Sequence, residues 1–171
     1  ALAEYERILA DISTDNAFVE STATSIPQHK TRDLIIYPRY HGKDLAGLHA
    51  DDRAMLSKLV DALADKQNIK SRVHGHANNV ALSPSAAASF GDNKGLSERR
   101  ASAVAEYWQE KIEAADFAVE GLGDSQPIAS NNTAAGRSRN RRVEIHIAYD
   151  TTATAQMAQS ADIPDGFTPW W

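Results

Sequence analysis

The apolar positions of this chain change period along its length, and each change marks an element. Leu2, Tyr5, Ile8, Leu9 and Ile12 recur three and four residues apart, the spacing of one face of a short amphipathic helix. Ser13-Thr14-Asp15-Asn16 then supplies turn and capping residues, and 16–32 has no period and reads as a connector. Asp33-Leu34-Ile35-Ile36-Tyr37 is β-rich and stops at Pro38, as a first strand would. Leu48, Met55, Leu56, Leu59, Val60 and Leu63 form a helical stripe, with Asp51 and Asp52 well placed near its N-terminus. Ile69, Ser71, Val73 and Gly75 alternate with Lys70, Arg72, His74 and His76, which predicts a second strand.

A long small-residue loop is expected from Asn78 to Gly95. Ser97 offers a natural N-cap for a helix whose inner face is Ala101, Val104, Ala105, Trp108 and Ile112. Phe117 to Leu122 predicts a third strand, Pro127 to Arg139 a polar, turn-rich crossover, and Val143, Ile145 and Ile147 a fourth strand. The order β-α-β-α-β-β, behind an extra helix, predicts an α+β, two-layer α/β sandwich with a mixed sheet and its helices on one face. Val73, Leu56, Leu59, Val104, Trp108, Val143 and Ile145 are expected to share one core. Three segments follow from this reading: 1–32 as helix and connector, 33–149 as the domain, and 150–171 as a tail or linker ending in Trp170-Trp171.

Composition narrows the chemistry. The 171 residues suffice for one domain with a real core. Cysteine is absent, so disulfides, thiolate zinc sites and cysteine nucleophiles are excluded. No apolar run approaches the ~18 residues of a membrane-spanning helix. The chain opens without a basic-then-apolar leader, so any signal peptide or anchor is expected to have been removed or to lie outside this sequence. A net charge of −5 disfavours general binding to nucleic-acid phosphates, and no aromatic residues interleave the cluster Arg137, Arg139, Arg141 and Arg142. No glycine-serine elbow, phosphate loop or histidine-glutamate metal helix is present, so an enzyme is not expected. His74, His76 and His146 could meet across strands, but no acidic residue joins them in a recognisable ligand spacing. Neither a metal nor a cofactor is therefore expected.

Three blocks carry a resemblance. Gly75-His76-Ala77-Asn78 is the first. Asn93-Lys94-Gly95-Leu96-Ser97-Glu98-Arg99-Arg100-Ala101 is the second. Gly121-Leu122-Gly123-Asp124-Ser125-Gln126-Pro127-Ile128-Ala129, followed by Asn131, Thr133, Gly136-Arg137 and Asn140-Arg141-Arg142-Val143, is the third. In this order they resemble the OmpA-like peptidoglycan-associating domain family, over roughly Leu34 to Ala148. The resemblance implies a periplasmic, non-enzymatic module that anchors a Gram-negative cell-envelope or outer-membrane protein to the cell wall. It also implies recognition of diaminopimelate in the peptide stem of peptidoglycan. In such domains an aspartate and an arginine hold the zwitterionic end of that residue, a carboxylate facing the ammonium and a guanidinium the carboxylate.

The arginine position falls on Arg100 and the aspartate position on Asn78, with Asn93 and Arg141 as further candidates beside the groove. Asn78 departs from the family pattern because it accepts a hydrogen bond without supplying charge. The Asn78–Asn93 loop and the segment after Tyr37 are also longer than usual. Each candidate keeps a plainer reading: Arg100 as an ordinary helix residue, Asn78 as a turn former, Asn93 as a helix-entry residue, and Arg141 as a buttress for loop carbonyls. For the whole domain the alternative is an OmpA-like fold repurposed as a protein-interaction or assembly module, or for another ligand.

Overall fold

A computed structural model describes residues 2–15, 26–39, 46–112 and 116–153. Helix α1 (Leu2–Thr14) leads into strand β1 (Ile26–Ile36), helix α2 (Ala50–Leu63) and strand β2 (Gln67–Gly75). Then come helices α3 (Pro84–Phe90) and α4 (Asn93–Gln109), strand β3 (Asp116–Gly121), helix α5 (Ala134–Asn140) and strand β4 (Val143–Ala153). The strands form one mixed sheet in the order β1-β4-β2-β3. β4 is antiparallel to both β1 and β2, and β2 is parallel to β3 across the α3–α4 crossover. The expected α+β architecture is the observed one.

The alternation read in the sequence is the alternation of the sheet. Ile69, Ser71 and Val73 of β2 are buried, as are Val143, Ile145, Ile147 and Tyr149 of β4 and Leu34 and Ile36 of β1. They meet Leu56, Leu59 and Leu63 of α2 and Ala101, Val104, Ala105 and Trp108 of α4 in one core that contains all seven expected residues. α1 adds Tyr5, Ile8, Leu9 and Ile12 to that core, and the Tyr5 hydroxyl donates to the Met55 carbonyl at 2.7 Å. The leading helix is thus packed into the domain.

The edge strand β1 and its neighbour β4 run further than periodicity suggests. Ile26 pairs with Ala153, so β1 starts seven residues before Asp33 and β4 continues past Ile147. The added stretch of β1 is polar (Gln28, His29, Lys30, Thr31, Arg32) and gives no apolar period to detect. Its pairing to β4 makes it a strand. Two short helices were likewise hidden. α3 interrupts the expected loop, with Ser83 Oγ accepting from Ala86 N at 3.3 Å and Pro84 in the first turn. α5 interrupts the polar crossover, capped by Thr133, whose Oγ1 accepts from Gly136 N at 3.0 Å. Both are too short and too rich in small or polar residues to show an amphipathic stripe.

The α4 cap is a correction. Asp92, not Ser97, is the N-cap, its Oδ1 accepting from Gly95 N at 2.8 Å. Ser97 is fully buried one turn later and joins the helix to the loop after β3. Its Oγ donates to Lys94 O at 2.8 Å and accepts from Gly123 N at 2.9 Å. α4 can lie this close to the sheet only because glycines face it. A Cβ on Gly75 would sit 1.8 Å from the Ser97 carbonyl oxygen, and one on Gly121 would sit 2.5 Å from Glu98 Cβ. The tail that carries Trp170 and Trp171 lies outside the described residues.

Candidate functional site

Of the candidate ligand-binding residues, Asn78 follows the end of β2, Asn93 opens α4, Arg100 lies further along α4 and Arg141 sits at the turn from α5 into β4. After Gly75 the chain leaves the sheet and is pinned on both sides. His76 N donates to Arg142 O at 2.9 Å, and Ala77 N to Gly123 O at 2.8 Å. Asn78 follows, half-buried, and its Oδ1 accepts from Val80 N at 3.0 Å. That contact closes a local side-chain turn of the kind asparagine favours. Asn93, in the first turn of α4, donates from Nδ2 to the carbonyls of Asn78 and Val80, both at 3.1 Å. The structure therefore brings Asn78 and Asn93 into contact. It makes Asn93 the clamp of the Asn78 turn.

Arg100 does not sit on the first turn of its helix. The helix begins at Asn93, so Arg100 lies seven residues, about 10 Å along the axis, beyond it. It is 4% exposed and already engaged within the chain. A guanidinium is rarely buried unless it is paired, so Arg100 is a fixed, desolvated charge rather than an ordinary solvated helix residue.

Arg141 is the C-cap of α5 and is half-buried. The arginine that buttresses the loops is its neighbour Arg142, 2% exposed. Its Nη2 donates to Gln126 O at 3.1 Å, its Nη1 reaches Asn140 O at 3.5 Å, and its Nε donates to Glu144 Oε1 at 2.7 Å. Asn140, fully buried, completes this corner. Its Oδ1 accepts from Ile128 N at 2.9 Å and Ala129 N at 3.0 Å, and its Nδ2 donates to Ala129 O and Asn131 Oδ1, each at 2.8 Å. Asn140 and Arg142 were visible only as members of a motif. Sequence gave no sign of which polar residues of that run would be buried.

A titratable cluster adjoins this corner. His76 is fully buried and neither ring nitrogen has a hydrogen-bond partner; Nε2 is 3.5 Å from Glu144 Oε2, a contact rather than an aligned bond. Burial, followed by the nearby Arg142 charge, holds the imidazole below its usual pKa and outweighs the pull of Glu144. Burial acts to raise the Glu144 pKa, but the Arg142 hydrogen bond and the surrounding positive charges prevail and lower it. Burial thus works against charge on the imidazole, while Arg142 favours charge on the carboxylate.

The three histidines do not gather as one set. β2 ends at Gly75, so its alternation no longer governs His76, which is buried while His74 stays partly exposed. Glu144 takes the place that His76 was considered for: ligand atoms of His74, Glu144 and His146 all lie within 4.8 Å of one another. The signal was present in Glu144-Ile145-His146, two polar residues at strand spacing on one face.

Fold and site together describe a two-layer α/β domain whose polar, tightly laced corner lies at one end of a mixed sheet. The OmpA family model matches residues 40–141, which include Asn78, Asn93, Arg100 and Arg141, and the chain belongs to that family. It is 43% identical over 108 residues to the outer-membrane lipoprotein YfiB of Pseudomonas aeruginosa, covering 61% of this chain and 58% of that protein. It is 38% identical over 109 residues to the peptidoglycan-binding protein ArfA of Mycobacterium bovis, covering 63% of this chain but only 31% of that one. The chain thus matches 58% of the length of the first of these relatives and 31% of the second. Among solved structures, the cell wall anchor of the T6SS from Pseudomonas aeruginosa is similar, with a TM-score of 0.61 and 26% identity over 86% of this chain and 96% of that one. A MotB-like protein from Desulfovibrio vulgaris shares the fold, with a TM-score of 0.60 at 24% identity over 84% of this chain and 87% of that one.

Proposed function

We propose that this chain is a non-catalytic module that binds peptidoglycan and anchors an envelope-associated protein to the cell wall. The observation that carries this reading is the corner itself: the Asn93-clamped turn at Asn78, with Arg100 further along the same helix, inside the family-matched segment. Relatives described as a peptidoglycan-binding protein and a cell wall anchor support it. The finer reading is that the corner recognises the diaminopimelate of the stem peptide in the periplasm, with Arg100 facing a carboxylate and Asn78 the ammonium.

Co-sedimentation of the purified chain with isolated sacculi tests the coarse reading, and failure to sediment refutes it. Titration with diaminopimelate-containing fragments tests the finer one. Arg100→Ala is expected to lose roughly ten- to a hundredfold in affinity, as for a charge-assisted contact of about 1.5–3 kcal/mol. Arg100 is buried, so a melt of the same variant and an Arg100→Lys companion separate lost binding from lost folding. Asn78→Asp keeps the acceptor that Val80 N uses and adds the missing charge, so the turn should survive and affinity should rise. Weaker binding by Asn78→Asp would favour the assembly-module reading. Two features support that second reading: α3, which occupies the long loop after Asn78, and the exposed Val80 that precedes it.

A further inference from the structure

The face of the sheet turned away from the helices carries a group outside the four candidate ligand-binding residues. We propose that His74, Glu144 and His146 form a binding site for a divalent transition-metal ion of the zinc class. The sheet assembles it by register. His74 on β2 is paired directly with Glu144 on β4, and His146 lies two residues along β4 on the same face. The two imidazole rings stand 5.1 Å apart. Two imidazoles and one carboxylate are a donor set that zinc accepts, with a fourth position left for water. Tetrahedral bonds of ~2.1 Å place ligand atoms about 3.4 Å apart. The ligand atoms lie within 4.8 Å of one another, so binding an ion requires them to draw together by up to about 1.4 Å.

The surroundings match those of a metal ligand set. His146 Nδ1 is 2.7 Å from Asp33 Oδ1, so the ring donates there and turns Nε2 towards the cluster, where it is 3.9 Å from Glu144 Oε2. A carboxylate on the remote nitrogen is the usual way a ligating histidine is oriented. Arg142 grips Oε1 of Glu144 at 2.6 Å, which leaves Oε2 to face the histidines. Behind that oxygen stands His76, fully buried with both ring nitrogens unpartnered, and its Nε2 is 3.5 Å away. Glu120 approaches His74 Nε2 at 3.9 Å and adds negative charge at the rim.

The test is equilibrium dialysis of the metal-stripped full chain against zinc chloride, backed by the visible absorption of the cobalt(II) form. One saturable equivalent is expected, lost in His74→Ala and His146→Ala and kept in His29→Ala, which lies away from the cluster. Asp33→Asn should weaken it by about 10–100-fold, the usual cost of losing such an orienting partner. His74 and His146 are partly exposed, so these variants should fold, and circular dichroism verifies it; Glu144→Gln serves as a further variant. No saturable binding, or binding that His146→Ala leaves unchanged, overturns the proposal.

Discussion

Asn140 and His76 are both fully buried, stand at the same end of the sheet and come from motif blocks, yet they are opposites. Asn140 uses its oxygen twice and its nitrogen twice, stitching 128–131 to the end of α5. Among the described residues His76 has only the 3.5 Å approach of its Nε2 to Glu144 Oε2, with no aligned hydrogen bond. A buried polar group is costly unless it is hydrogen-bonded. Asn140 offsets its desolvation in full and stabilises the corner. His76 has no such compensation, and burial works against its charged form. Burial alone therefore does not identify an architectural polar residue; the hydrogen-bond inventory does.

Trp108 sets the scale for this comparison, because its Nε1 is also unpartnered and its contribution is packing alone. Trp108→Ala should cost about 3–5 kcal/mol in urea denaturation, the largest effect expected. A midpoint near that of the unmodified protein would mean that α4 does not depend on this side chain. Asn140→Ala should follow at about 2–3 kcal/mol, since it orphans two backbone N–H groups and a carbonyl, some of which water can reach. A loss below that of an ordinary surface substitution would erase the contrast with His76.

His76→Leu sharpens the contrast from the other side. Replacing an unpartnered polar ring by an apolar side chain of similar size should change stability by less than about 1 kcal/mol. A loss as large as that of Asn140→Ala would reveal a contact to His76 that matters. The smallest effect belongs to Asp150, at the other end of the sheet. Hydrogen bonds from Asn68 and then His29 hold its pKa below the ordinary 3.8. Its contribution is therefore present above that value and is lost as pH falls through the folded-state pKa. Asp150→Asn should be slightly less stable than the unmodified protein at pH 7, and the gap should close on acidification. A gap that widens at low pH would contradict the sign.

The core of this protein was legible in its sequence because burial leaves a period. Leu56 and Leu59, Val104 and Trp108, and Val143 and Ile145 announced their faces through helical or strand spacing, and the expected core formed. α1 was read correctly for the same reason. The three blocks that include Asn78, Asn93, Arg100 and Arg141 marked the family through their residues and their order, and within them Gly75 and Gly121 stand where a Cβ would collide with α4. The polar half of β1 left no such trace, since a strand paired to β4 on polar residues has no apolar rhythm. Nor could sequence say that Arg142 rather than Arg141 would be the buried buttress, that Arg100 would be desolvated, or that Glu144 would stand opposite His74. Periodicity records which face of an element meets the core, and that is a local property. Which polar side chains are buried together depends on the register between distant strands and on how closely α4 approaches the sheet, and only the assembled structure sets those.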